Sequence, residues 1–239
     1  MDFVSHASAI LSVDFPDAVA ELERVLLGVT IPVAEIIGSG GGETKGTQRL
    51  RRALAEAGWA KANFVIEKTI NGVRKESQSH EVDHVRSFAH GLVALEIEWN
   101  NKDPFFDRDL ENFKRLHAEG AISVGVIVTR GSSLQDEMTA IVQRFAEREA
   151  FTEPRDLDRI GLRPTSRQND NVARGAGRGR SFAEVWARAF VADKYGAATT
   201  HWRKLEERVR RGVGNPCPLV LIGLPATIVS FAESEETRT

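Results

Sequence analysis

Residues 79–106 read SHEVDHVRSFAHGLVALEIEWNNKDPFF, and two incompatible metal chemistries can be spelled from them. His80-Glu81-Val82-Asp83-His84 forms an H-E-x-x-H string, which binds zinc when it lies on a helix. Asp83, together with Glu96 and Glu98 on either side of one apolar residue, forms a carboxylate set that needs strands. Secondary structure decides between them. H-E-x-x-H works only where residues i and i+4 share a helical face, so that both imidazoles reach one ion. Here the segment follows Asn71-Gly72, a strong hairpin signal, alternates in polarity and carries no helical stripe, so it predicts a strand. On a strand His80 and His84 stand about 13 Å apart on one face, at ~3.3 Å per residue. Two histidines that far apart cannot chelate one ion, and the zinc string is an accident of letters.

Working outward, the period of two extends across neighbouring segments. FVIEKTI (64–70) alternates before the hairpin, and LVALEIEW (92–99) forms a third strand. Pro104 opens a helix with Phe106, Leu110, Phe113 and Leu116 or His117 on one stripe. ISVGVIVT (122–129) predicts a strand buried on both faces. A helix follows from about 134 to 148, with Met138, Ile141, Val142 and Phe145 inward. Upstream, Val19, Leu22, Val25 and Leu26 recur at helical spacing behind Pro16 and Asp17. GSGGGETKG (38–46) reads as a flexible loop, without the Gly-Lys-Ser/Thr ending of a phosphate-binding loop, and a helix from Thr47 to Ala57 follows it. Beyond Phe151 the pattern fades. RPTSRQNDNVARGAGRGR (163–180) reads as a long polar loop, followed by two short helices and a last strand, PLVLIGLP (218–225). Helices interleaved with strands, with no internal repeat and no second core, predict one α/β domain over residues 1–239, built on a central mixed β-sheet flanked by helices.

The formal net charge is only −2, but it is segregated. Residues 1–48 are strongly acidic. Residues 162–180 carry Arg163, Arg167, Arg174, Arg178 and Arg180 against Asp170, and residues 201–211 are also basic. Such segregation predicts a positive face on a nearly neutral protein. One cysteine, Cys217, excludes an internal disulfide and predicts a small buried hydrophobe in a reducing compartment. No segment has the form of a signal peptide and no apolar run has the length of a membrane span, so a cytoplasmic location is expected.

The strand reading gives the acids a purpose. Glu96 and Glu98, at i and i+2, project from one face, and the sequence predicts that Ile97 faces the core. Two adjacent carboxylates repel each other unless a cation lies between them, and Mg2+ prefers carboxylate oxygen. Asp83, on the preceding strand, adds a third acid. Carboxylates on paired strands are a means of bringing a cation to a phosphodiester. The strand then leaves through Asn100, Asn101 and Lys102, side chains suited to base edges and phosphates.

These features resemble the BglII-type restriction endonucleases of the PD-(D/E)xK nuclease superfamily. The resemblance runs from about Gly46 to Phe145, through KGTQRLRRALAEAGW, SHEVDHV, LVALEIEWNNKDPFF and GVIVTRGSS. It implies a restriction-endonuclease-like fold with a catalytic core at about 46–148, a DNA-contacting loop at about 162–180, and C-terminal helices and a strand at about 181–231. It implies that Asp83 and Glu96 bind the catalytic Mg2+ with the backbone carbonyl of Ile97. Glu98 stands where the superfamily usually has lysine and the BglII type has glutamine. An earlier strand offers Asn63 or Glu67 as a further polar site residue. The implied activity is type II: Mg2+-dependent hydrolysis of double-stranded DNA at a short palindromic site by a homodimer, with a cognate DNA methyltransferase in the same system. The helices at about 105–117 and 134–148 would form the dimer interface. Expected DNA contacts are Asn100, Asn101, Lys102, Arg130, Ser132 and Ser133, with Arg174, Arg178 and Arg180 from the basic loop. A repair or recombination nuclease of the same superfamily, or a DNA-binding module without catalysis, are the alternatives.

Overall fold

The structure is a computed structural model describing residues 1–38, 43–176 and 178–232. Part of the expected loop at 38–46, and Gly177 of the Gly-Arg stretch, lie outside the described residues. In chain order the elements are β1 (Asp2–Val4), α1 (Ala7–Asp14), α2 (Pro16–Leu27), β2 (Ile31–Pro32), α3 (Val33–Gly38) and α4 (Lys45–Glu56). β3 (Ala60–Ile70), β4 (Val73–Phe88), β5 (Gly91–Glu98), α5 (Phe105–Ala118), β6 (Val124–Arg130) and α6 (Ser132–Arg148) follow. After a 3-10 turn at Pro154–Ile160 come α7 (Ser166–Ala176), α8 (Phe182–Lys194), α9 (Trp202–Arg210), β7 (Leu219–Leu224), a second 3-10 turn at Ala226–Ile228 and β8 (Val229–Ser230).

Backbone contacts gather the chain into two compact units. The first comprises Met1–Val29, Arg49–Arg130 and Thr200–Leu224. It holds a six-stranded mixed sheet ordered β1-β7-β6-β5-β4-β3, flanked by helices, in the α/β arrangement that the sequence predicts. β5, β6 and β7 run parallel, while β3–β4, β4–β5 and β1–β7 pair antiparallel. Asn71 (φ 50) and Gly72 (φ 78) make the hairpin turn between β3 and β4, the positive pair of angles for which Asn-Gly is the preferred sequence. β6, with a neighbour on each side, is buried along its whole length, which is why it is written in valine and isoleucine.

α5 lies on the sheet through Phe106, Leu110, Phe113 and Leu116, which meet Val82, Val85, Ala94, Ile127, Leu219 and Leu221 in one core. The approach is close. A Cβ at Gly125 on β6 would stand 2.5 Å from the Phe113 ring, so glycine there lets the helix sit directly on the strand. Burying side chains of this size contributes roughly 1.5–3 kcal/mol each before conformational entropy is counted. Cys217 belongs to the same core, and burial pushes its thiol up to about 12.

The second unit comprises the described residues of Thr30–Gln48, Gly131–Thr199 and Pro225–Thr239. Here α6 packs on α8 and α7 on α8. Trp186 joins Phe151 and Phe190 in an aromatic chain with centroids 6.1 and 5.3 Å apart. The basic segment differs from the expected loop, because residues 166–176 are helical. Among its described side-chain positions Gln168 and Gly175 are the buried ones; Gln168 donates to Asp193 Oδ2 at 3.0 Å, and a Cβ at Gly175 would strike Val185. A helix that buries a polar and a glycine residue leaves no apolar stripe in the sequence. Strands β1, β2 and β8 and helices α1 and α3 are too short to show a period.

Candidate active site

The strand that carries Asp83 is irregular where it matters. β3 and β4 pair Ala60 with Val85 and Ala62 with Val82, so β4 takes three steps where β3 takes two. The bulge falls on Asp83 and His84. Bulges break alternation and re-aim side chains, and here His84 and Val85 are consecutive yet both buried. Asp83 keeps its side chain about half exposed, with Lys61 Nζ 3.7 Å from Oδ1. Its backbone N–H points at Glu96 Oε1 across the strand pair, 3.4 Å away. Glu96 thus reaches the backbone of Asp83, although thirteen residues separate them.

Glu96 and Glu98 share a face, as their spacing requires, but it is the covered face. They are 7% and 3% exposed, whereas Ile97 is only half-buried. The expectation that Ile97 faces the core is therefore corrected. The two glutamates continue the line of Ala94, on which α5 packs, so the helix covers them.

α5 also contributes two charged residues that the sequence reading missed. Asp109, 1% exposed, stands on the buried stripe between Phe106 and Phe113. Arg108 Nε donates to Asp109 Oδ1 at 2.7 Å, and its Nη2 lies 3.5 Å from Glu98 Oε1. An acid three residues past Phe106 and directly before Leu110 was the available signal, since a carboxylate on an apolar stripe needs a reason to be there.

Three carboxyls buried between one helix and the sheet cannot all remain charged at ordinary pH. Burial, followed by the charges of Asp109 and Asp83, pushes Glu96 up to about 9. Burial and the neighbouring Asp109 push Glu98 up to about 8, opposed by the Asn101 hydrogen bond and Arg108. Burial also raises Asp109. A carboxyl that is neutral when folded and ionised when unfolded binds more protons in the folded state, so its stabilisation is lost as pH rises through the folded value. The metal-free protein should accordingly melt at progressively lower temperature from about pH 5 to about pH 9. Glu96→Gln, which fixes the neutral form, should flatten that slope. Melting curves in chelator at three pH values check this, and equal slopes in both proteins would contradict it.

The strand exit is tied down. Asn101 Nδ2 donates to Glu98 Oε2 at 2.7 Å, and its backbone exchanges hydrogen bonds with Thr200 at 3.1 and 2.9 Å. Asn100 keeps a buried Oδ1 without a hydrogen-bond partner, and Lys102 is exposed. Arg130, expected at the rim, is instead fully buried, donating to the carbonyls of Trp99 at 2.8 Å and Thr200 at 2.7 Å. In the other unit Ser132 begins α6, and Ser133 Oγ accepts from the Ala226 N–H at 3.1 Å. Arg174 lies on α7, bonded to Asn171 Oδ1 at 2.7 Å. Arg178 and Arg180 follow that helix and are exposed. Of the two earlier-strand candidates, Asn63 accepts from Ser79 Oγ at 2.6 Å and Glu67 pairs with Arg74 at 2.8 Å. His80 and His84 lie on β4, a strand.

Among the described residues no three or more His, Cys, Asp or Glu side chains are already gathered as a metal cage. The donor chemistry nevertheless fits a hard divalent cation: four carboxylates, three of them buried. The family model described as restriction endonuclease BglII/BglIII matches residues 1–224 of the 239. The chain belongs to the BglII/BglIII restriction endonuclease family. No curated protein matches the chain significantly. The protein is a type II restriction endonuclease, a site-specific deoxyribonuclease with a restriction-endonuclease-like fold, and its partner is DNA. Endonucleases of this kind generally need a divalent metal ion. Among the described residues no helix of this endonuclease is long and apolar enough to cross a membrane.

Proposed function

We propose that this endonuclease cuts both strands of a short palindromic duplex site with Mg2+, as a cytoplasmic homodimer in which residues 1–239 act as one nuclease domain. The observation that carries the reading is the hydrogen bond from the Asp83 backbone at the β4 bulge to the Glu96 carboxylate, beside a Glu98 held by Asn101.

Asp83 and Glu96 would hold the ion, with the carbonyl of Ile97 at the half-buried position between the glutamates. When bound, Mg2+ supplies positive charge where the phosphodiester gains negative charge in its transition state. Glu98 receives the proton of the attacking water at a carboxylate oxygen, and the proton affinity that burial and Asp109 raise suits a general base. Asn101 Nδ2 fixes Oε2, and Oε1, which Arg108 Nη2 approaches at 3.5 Å, is the oxygen that would take the proton. Symmetric cutting of a palindrome calls for two-fold related subunits. Asn100, Asn101 and Lys102 are the proposed readers of bases beside the cut, Ser132 and Ser133 are further proposed base contacts, and Arg174, Arg178 and Arg180 are proposed phosphate contacts.

Plasmid DNA incubated with the purified protein and Mg2+ tests the reading. Discrete fragments with identical ends are expected; a smear, structure-dependent nicks or intact plasmid would each defeat it. Asn101 should show its two attachments separately from bulk binding. Asn101→Ala is expected to slow cleavage of the cognate site about 10- to 100-fold, the usual cost of losing a partner that orients a metal-site side chain. Non-specific binding, measured by gel shift, should hold. Equal cleavage rates and equal mismatch preference would remove Asn101 from both positioning and readout.

A further inference from the structure

Arg108 and Asp109 are adjacent on α5, yet they point at the same place. Asp109 Oδ1 accepts from Arg108, while Oδ2 is buried without a hydrogen-bond partner. The Arg108 guanidinium also reaches Glu98 Oε1 at 3.5 Å and lies over the Phe105 ring at 4.5 Å from its centroid. One planar cation therefore bridges two buried acids from the solvent side, its own side chain about half exposed. Arginine suits this position because its fork serves two carboxylates at once and its face stacks on an aromatic ring.

We propose that Asp109 is a further carboxylate ligand of the metal centre, and that Arg108 is its resident counter-ion, holding Glu98 and Asp109 until a divalent cation takes its place. The proposal rests on the divalent-metal reading of this site. It accounts for two observations together. The acids are not arrayed as a cage, because a guanidinium stands among them. Asp109 Oδ2 finds no N–H donor, because Arg108 engages only the other oxygen and the remaining neighbour is the Glu98 carboxyl, a second acid; buried acceptors are seldom left so without cause. The arrangement would keep the apo site folded despite its crowded acids and make cation binding an exchange of partners.

Binding of Tb3+ to the full-length protein without DNA, read by luminescence sensitised through the neighbouring buried Trp99, tests this directly. Ca2+ competition shows that the signal comes from a hard-cation site. Arg108→Gln is expected to bind about tenfold more tightly than wild type, because a competing cation is gone. Asp109→Asn should bind about 10- to 100-fold more weakly, whereas Asp109→Glu, which keeps the carboxylate, should recover most of the loss. Thermal melts confirm that each variant is folded, and Arg108→Lys, which retains the charge without the fork, should fall between wild type and Arg108→Gln. Unchanged or weaker binding in Arg108→Gln overturns the counter-ion role. Equal binding by the Asn and Glu variants overturns the ligand role, and absence of Tb3+ binding in wild type and Arg108→Gln alike overturns both. A wild type that binds Tb3+ but leaves DNA intact would remove the nuclease reading alone.

Discussion

Replacing Asp83 or Glu96 by alanine is expected to slow DNA cleavage by at least about a thousandfold while leaving DNA binding intact or tighter. The magnitude follows from the several kcal/mol that a cation contributes to a phosphoryl transition state, at 1.36 kcal/mol per factor of ten. The two substitutions should differ in what else they do. Asp83 is half exposed at a bulge, so its loss should hardly change stability. Glu96 is a buried carboxyl crowded by Asp109 and Asp83, and removing it relieves that crowding at the expense of a small void under α5. Binding should survive in both cases: Asp83→Ala removes negative charge that repels phosphate, and Glu96→Ala removes a carboxyl that burial already keeps largely uncharged. Single-turnover cleavage in Mg2+ and gel shifts in Ca2+ separate the two quantities. A near wild-type rate in either variant would refute its place at the centre.

The second large effect is on stability. Arg130→Ala is expected to destabilise the protein by about 3 kcal/mol, since it leaves two buried carbonyls unserved and opens a cavity. Those carbonyls belong to Trp99 and Thr200, the residues that frame Asn101. Thr129, beside Arg130, ties the same strand through Oγ1 to the Glu98 carbonyl at 2.7 Å. Cleavage should therefore fall along with stability, because the strand exit that holds Asn101 against Glu98 loosens. Urea unfolding measures the first quantity. A variant as stable as wild type but altered in sequence preference would return Arg130 to the DNA.

Much of this was written locally. Asn71-Gly72, with alternation on both sides, specifies a hairpin whatever surrounds it, and so disqualifies the zinc string at His80–His84. The spacing of Glu96 and Glu98 places both carboxylates on one face of any strand that contains them. The motif and its Asn-bearing exit carried the family. Periodicity, however, says which residues share a face and not which face is covered. That Ile97 is the half-exposed residue and the glutamates are buried was decided by where α5 packs, which in turn depends on the absent side chain of Gly125. The bulge at Asp83 arises from a mismatch of register between two strands and has no signature within either. Arg130 looked like a surface residue at a strand end, yet two carbonyls distant in sequence supply the acceptors that make its burial affordable. Asp109 and Arg108, ten to thirteen positions from the glutamates in sequence, became part of the site only when their helix folded back over them. Local hydrogen bonding and side-chain period are properties of a short stretch of chain, and the sequence by itself determined those. Burial, register and the meeting of charges are properties of pairs of stretches, and only the tertiary structure decided them.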